Sequence, residues 1–190
     1  MELPPLPPLV GNIIDGAATW ESIGDIDYST IGYLLCCHMV LENYVEAFMQ
    51  AEAGDCFSIK SGRLTFGQKI SMLSAATSLP DKYDFLPSLK HLNSLRNRLG
   101  HNVRTVISEK ELLPLIHFVE KATESKLHKR DTLSVIRHYT EFVCSWLGAS
   151  YVHIKEGPHI DRRAAFEKWA KGHLSAAHEQ SDVNLLGNEN

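Results

Sequence analysis

The chain has 190 residues, 44% of them hydrophobic and 22% charged, with a formal net charge of −4. That length supports one hydrophobic core plus an extension rather than two full domains, and no apolar run approaches the roughly 18 residues a membrane span needs. The acidic balance argues against broad charge-driven adhesion to nucleic acid, so a basic surface has to be sought locally.

Residues 1–29 open with Met1-Glu2-Leu3-Pro4-Pro5-Leu6-Pro7-Pro8. This stretch lacks the basic start and continuous apolar run of a secretory signal, and it reads as a Pro-rich extended arm. Ser29 or Thr30 can then cap a helix that places Ile31, Leu34, Leu35, Leu41, Val45 and Phe48 at helical spacing. Gly54, Asp55, Ser61 and Gly62 mark a loop, after which Thr65 caps a second helix with Ile70, Leu73 and Ala76 inward, ending near Pro80. A third helix is expected from about Tyr83 to Leu99, with Leu89, Leu92, Leu95 and Leu99 three or four apart and Gly100 as its stop. Ser108 followed by Glu111 is a capping-box pattern for a fourth helix through Leu112, Leu115, Ile116 and Val119. A fifth should run from Asp131 to about Ser150, and Gly157-Pro158 separates it from an amphipathic piece between Asp161 and His178.

No period-two run is long enough to suggest a sheet. The expectation is an all-α helical bundle of about five helices over residues 30–150, a C-terminal helical extension over 151–180 and a frayed tail over 181–190. Cys36, Cys37, Cys56 and Cys144 show neither a disulfide framework nor a metal-knuckle spacing, which fits a cytoplasmic location; Cys36 and Cys37 read as buried packing residues.

Between Lys90 and Arg104 lie Lys90, Arg96, Arg98 and Arg104 together with His91 and His101, and no acidic residue. On an unbroken helix Arg96 and His101 would stand about 140° apart around the axis. A left-handed Gly100 would end the helix and let His101 swing toward Arg96, with Asn97 as a neutral donor and acceptor beside them. Such groups suit RNA cleavage in which the 2′-hydroxyl attacks its own phosphate: a histidine moves protons and a fixed guanidinium stabilises phosphoryl charge. No cluster of acids suggests a two-metal site, so neither a metal nor another cofactor is expected. Arg98, Arg104, Lys90 and Asn102 would hold the RNA backbone, and Glu42, close to the apolar stripe of the first helix, could support Arg96 or His101 through a hydrogen bond. One motif supplies one histidine, whereas acid and base roles ask for two, which makes a homodimer the simplest assembly.

The segment Leu64 to His101, with Phe66-Gly67-Gln68-Lys69-Ile70 opening one helix and Leu92-Asn93-Ser94-Leu95-Arg96-Asn97-Arg98-Leu99-Gly100-His101-Asn102 closing the next, resembles HEPN domains. Their mark is an Arg, usually followed by a polar residue, with a His four to six positions further on; Arg96, Asn97 and His101 match it. The helix with Leu41-Glu42-Asn43-Tyr44 is similar to the first long helix of that family, so the resemblance covers about Thr30 to Ser150. It implies a dimer in which two motifs face each other, metal-independent endoribonuclease activity, and a place in toxin-antitoxin, phage-defence or stress systems, with an antitoxin or regulatory protein as partner.

The competing reading is a non-catalytic regulatory or protein-interaction module, like inactive HEPN or repressor-like proteins, in which Arg96 and His101 are cations favouring the end of a helix dipole. His38, one turn before Glu42, reads as a core-edge histidine without a role. Lys126, His128, Lys129 and Arg130 read as a solvated turn.

Overall fold

In the computed structural model, residues 9–21, 26–54, 58–59, 62–102 and 106–156 are described. Five α-helices among them form the bundle: α1 (Tyr28–Ala53), α2 (Phe66–Ala76), α3 (Leu86–His101), α4 (Glu109–Thr123) and α5 (Thr132–Glu156), with a 3-10 turn at Asp81–Tyr83 before α3. The expected all-α bundle is the architecture, and no described helix is long and apolar enough to cross a membrane.

Two short strands precede the bundle, β1 (Leu9–Ile14) and β2 (Ala17–Glu21), paired antiparallel with an irregularity between Val10 and Ile13. This corrects the expectation of an extended arm over these residues and of no strand pairing. The cause is Asp15-Gly16: both have positive φ, 50° and 81°, as a tight hairpin turn demands. The Thr19 hydroxyl donates to the Asn12 carbonyl and accepts the Asn12 N–H, which fixes the register. Ile13 and Trp20 are 74% and 64% exposed.

Helix α1 starts two residues before the expected caps. Asp27 is its cap, accepting the Thr30 N–H at 3.0 Å and the Ser29 hydroxyl at 2.6 Å, and these bonds hold its carboxyl down at about 2. Gly54, at φ 60°, ends the helix. Thr65 and Gln68 form a capping box on α2, and Ser108 and Glu111 form the expected one on α4. The third helix begins at Leu86 rather than near Tyr83, because Asp84 accepts the Leu86 N–H and Pro87 fits only a first turn. Helix α5 runs six residues past Ser150, so residues 151–156 belong to the bundle rather than to the extension. The amphipathic piece from Asp161 to His178 and the tail lie outside the described residues.

The core is the meeting of the inward stripes: Leu34, Leu41 and Phe48 of α1, Leu89 and Leu92 of α3, Leu115 of α4, and Ile136, Tyr139 and Leu147 of α5 are all buried. Cys37 and Cys144 are buried as well, but Cys36 is exposed, a correction to its expected place in the core. The Tyr139 hydroxyl donates to the Phe85 carbonyl at 3.3 Å and lies 3.2 Å from the Ser88 hydroxyl, tying α5 to the start of α3. Ser88 also donates to the Phe85 carbonyl, so removing the phenol oxygen orphans neither group completely. Tyr139→Phe should therefore cost only about 0.5–1.5 kcal/mol, read as a lower urea midpoint at unchanged slope.

Candidate functional site

Helix α3 carries the site because its two faces differ. Leu89, Leu92, Leu95 and Leu99 are buried along one side, while Lys90, Asn97 and His101 recur along the other and are exposed. Gly100 does not end the helix: α3 continues through it to His101, Asn102 is the C-terminal cap with φ −144°, and the Asn102 N–H donates to the Arg98 carbonyl. The expected left-handed turn at Gly100 is thus absent, and Arg96 and His101 stay about 140° apart around the axis. A Cβ at position 100 would meet nothing within 4 Å, so nothing packed nearby demands glycine there.

Asn97 spans part of the gap. The Arg96 Nη1 donates to the Asn97 Oδ1 at 3.1 Å, drawing the guanidinium sideways toward the exposed stripe. Asn97 and His101 are one turn apart on that stripe, which places their Cβ atoms roughly 5–6 Å from each other. Arg96 is half-buried, and its Nε is closed off from solvent without a hydrogen-bond partner among the described residues.

Beneath Arg96 lies a polar cluster contributed by three helices. His38 of α1 is only 5% exposed; its Nε2 is 3.2 Å from the Asn93 Oδ1, and its ring stands edge-on to Phe66 with centroids 4.6 Å apart. Burial pushes the His38 imidazole down, the Arg96 charge pushes the same way, and the Asn93 bond and Glu42 oppose them. Glu42, expected to support Arg96 or His101, has Lys69 as its hydrogen-bond partner among the described residues. Its carboxylate accepts from the Lys69 Nζ at 2.8 Å, and Glu46 accepts from the same nitrogen at 2.7 Å. Lys69 is 5% exposed; burial disfavours its charge, but the two carboxylates outweigh that and raise its pKa.

The other cations of the segment have separate neighbours. Arg98 pairs with Glu111 of the α4 capping box, and Arg98 and then Ser108 hold that carboxyl at about 2. The His91 Nε2 lies 2.6 Å from the Glu111 carbonyl oxygen and donates to it, while Lys90 reaches the Ser74 hydroxyl at 3.5 Å. Asn102 is exposed beyond the helix, and Arg104 lies outside the described residues. In the second basic cluster Arg130 pairs with Glu120 at 2.7 Å. Among the described residues no group of three or more His, Cys, Asp or Glu is placed to hold a metal ion.

These shifts fix a two-part acid profile. His38 and His138, both pushed down chiefly by burial, contribute stability that is full above the ordinary imidazole value of 6.5 and is lost as pH falls from there through their folded values. Asp27 and Glu111, held at about 2, contribute stability that is full above their ordinary values of 3.8 and 4.5 and is lost below them. Urea midpoints measured from pH 8 to pH 2 should begin to fall near pH 6.5 and fall further below pH 4.5; midpoints flat down to pH 4.5 would mean that neither imidazole is held in its neutral form by the fold.

The search for kin adds nothing to this picture: no family model, curated protein or solved structure matches the chain.

Proposed function

We propose that the chain is a metal-independent endoribonuclease working as a homodimer, with Arg96, Asn97 and His101 at the reacting phosphate. The observation that carries this reading is the reach of the Arg96 guanidinium onto Asn97, one turn from an exposed histidine. An anion stabiliser and a proton carrier thus border one surface without sharing a hydrogen bond that would quench either. His101 takes the proton of the attacking 2′-hydroxyl or supplies one to the leaving oxygen, and Arg96 stabilises charge on the phosphoryl oxygens. The 140° between their Cα directions asks for a second copy, whose His101 approaches the first copy's Arg96 across a twofold axis. Lys90 on the same stripe and Asn102 at its end serve the RNA backbone, with Arg104 beyond; Arg98 can join only by leaving Glu111.

Incubating the purified protein with single-stranded and hairpin RNA in excess chelator tests the reading. Cleavage with products ending in a 2′,3′-cyclic phosphate is the expected result, since the 2′-hydroxyl is the nucleophile. Intact RNA across pH 5 to 9 would sink it.

A non-catalytic binding module is favoured by one observation, the unbroken helix that keeps Arg96 and His101 of one copy on different faces. Under that reading Arg96→Ala weakens affinity for the partner and no rate exists to be lowered.

A further inference from the structure

Arg96 has a neighbour whose chemistry the proposed reaction leaves unused. His38 comes from a different helix, is buried, and bonds Asn93, which precedes Arg96 by three residues on α3 and so shares its side of the helix. Asn93 Oδ1 can only accept, so the His38 Nε2 carries the hydrogen, and a neutral imidazole satisfies the contact completely. Phe66 of α2 walls the other side at 4.6 Å, leaving the ring little freedom. Two charged groups act on it electrostatically: Arg96 of α3 disfavours a proton on the ring and Glu42 of its own helix favours one. Lys69, which α2 inserts between Glu42 and Glu46, balances only one of these two carboxylate charges. A proton on His38 would put a second cation beside a guanidinium whose Nε is itself closed off from water, and Glu42, which shares Lys69 with Glu46, offsets that only in part.

We propose that His38 is a positioning residue for Arg96: neutral, it holds Asn93 and the α3 face on which the guanidinium rests, and protonated, it displaces the guanidinium from Asn97 and switches the site off. The functional consequence rests on the RNA-cleaving reading, whereas the coupling between His38 and Arg96 does not.

Two measurements on the full chain separate them. The first follows the His38 ring and the Arg96 Nε–H by NMR from pH 8 to pH 5. In the wild type the Arg96 signal should move with the His38 midpoint; in His38→Gln, which keeps an N–H in place of Nε2 but does not titrate, it should stay still; and Arg96→Gln should raise the His38 midpoint. An Arg96 signal indifferent to the His38 titration, or a midpoint unchanged in Arg96→Gln, overturns the proposal whether or not RNA is cut. The second compares single-turnover cleavage. One pH unit below the His38 midpoint about nine-tenths of the imidazole is protonated, so the wild type should cut at about a tenth of the rate of His38→Gln, while both cut alike at pH 8. His101 is present in both proteins and cancels in the ratio. Equal rates at every pH would overturn the switch. NMR coupling in a protein that cuts no RNA would uphold His38 as the positioning residue of a binding site and remove the nuclease. His38→Leu, which loses the donor as well, should be impaired at every pH, so that rescue by Gln marks the hydrogen bond rather than mere space filling.

Discussion

His101→Ala should lower RNA cleavage by at least about 10²-fold while leaving the thermal midpoint nearly where it was. The size follows from the role, because a positioned proton carrier contributes about 10²- to 10⁴-fold and no other exposed histidine lies on the stripe with Asn97. The small structural cost follows from position: His101 is the last residue of α3 and exposed, and alanine suits a helix better than histidine does. Losing a cation at the helix end costs only about 0.3–1 kcal/mol through the dipole. Single-turnover rates beside thermal melts make the comparison. A mutant that cuts at the wild-type rate removes His101 from the chemistry, and one that melts far earlier shows a structural role instead.

The largest effect on stability should come from Lys69→Met. Its ammonium stands between Glu42 and Glu46, and its side chain is only 7% exposed. Methionine fills nearly the same volume, so the loss is electrostatic: two carboxylates one turn apart on α1 would face each other and a buried wall with no cation between them. Breaking a fully buried pair costs about 3–5 kcal/mol; Glu42 and Glu46 keep some contact with water, so about 2–3 kcal/mol is expected near neutral pH. Adding Glu42→Gln and Glu46→Gln to Lys69→Met should recover most of it. Urea denaturation of the three proteins at pH 7 measures this, and a single mutant as stable as the wild type would mean that the Lys69 bonds are not held in solution.

How far the sequence could be read depended on whether the deciding interaction was local. The caps at Thr65 and Ser108 and the leucine stripe of α3 were legible because each is settled within a turn or two of chain. The hairpin was equally local: Asp15-Gly16 beside Ile13 and Ile14 is the signal for it, hidden by the attention the prolines draw to an extended arm. The site was legible only along α3. Arg96, Asn97 and His101 stand out as residues, but what lies under them comes from α1 and α2, and a single sequence does not say that His38 meets Asn93 or that Lys69 claims Glu42. A clue did exist. Lys69 falls on the same stripe as Phe66, Ile70 and Leu73, and a cation on an apolar stripe has to find buried carboxylates, of which Glu42 and Glu46 on one face of α1 are the natural pair. Gly100 misled for the converse reason: glycine permits a left-handed stop without requiring one, and the helix runs one residue past it to His101.

The central claim, a site built from Arg96 of one copy and His101 of the other, is tested most directly by mixing two dead proteins. Arg96→Ala and His101→Ala dimers should each be inactive. After exchange of subunits at equal concentrations, half of the dimers are mixed, and each mixed dimer holds one intact Arg96–His101 pair. About a quarter of the wild-type cleavage rate should then return, because the shared site as proposed uses one His101 rather than the two histidines suggested by the sequence. If the mixture stays inactive although mixed dimers are shown to have formed, the site is not shared between copies and the account is wrong.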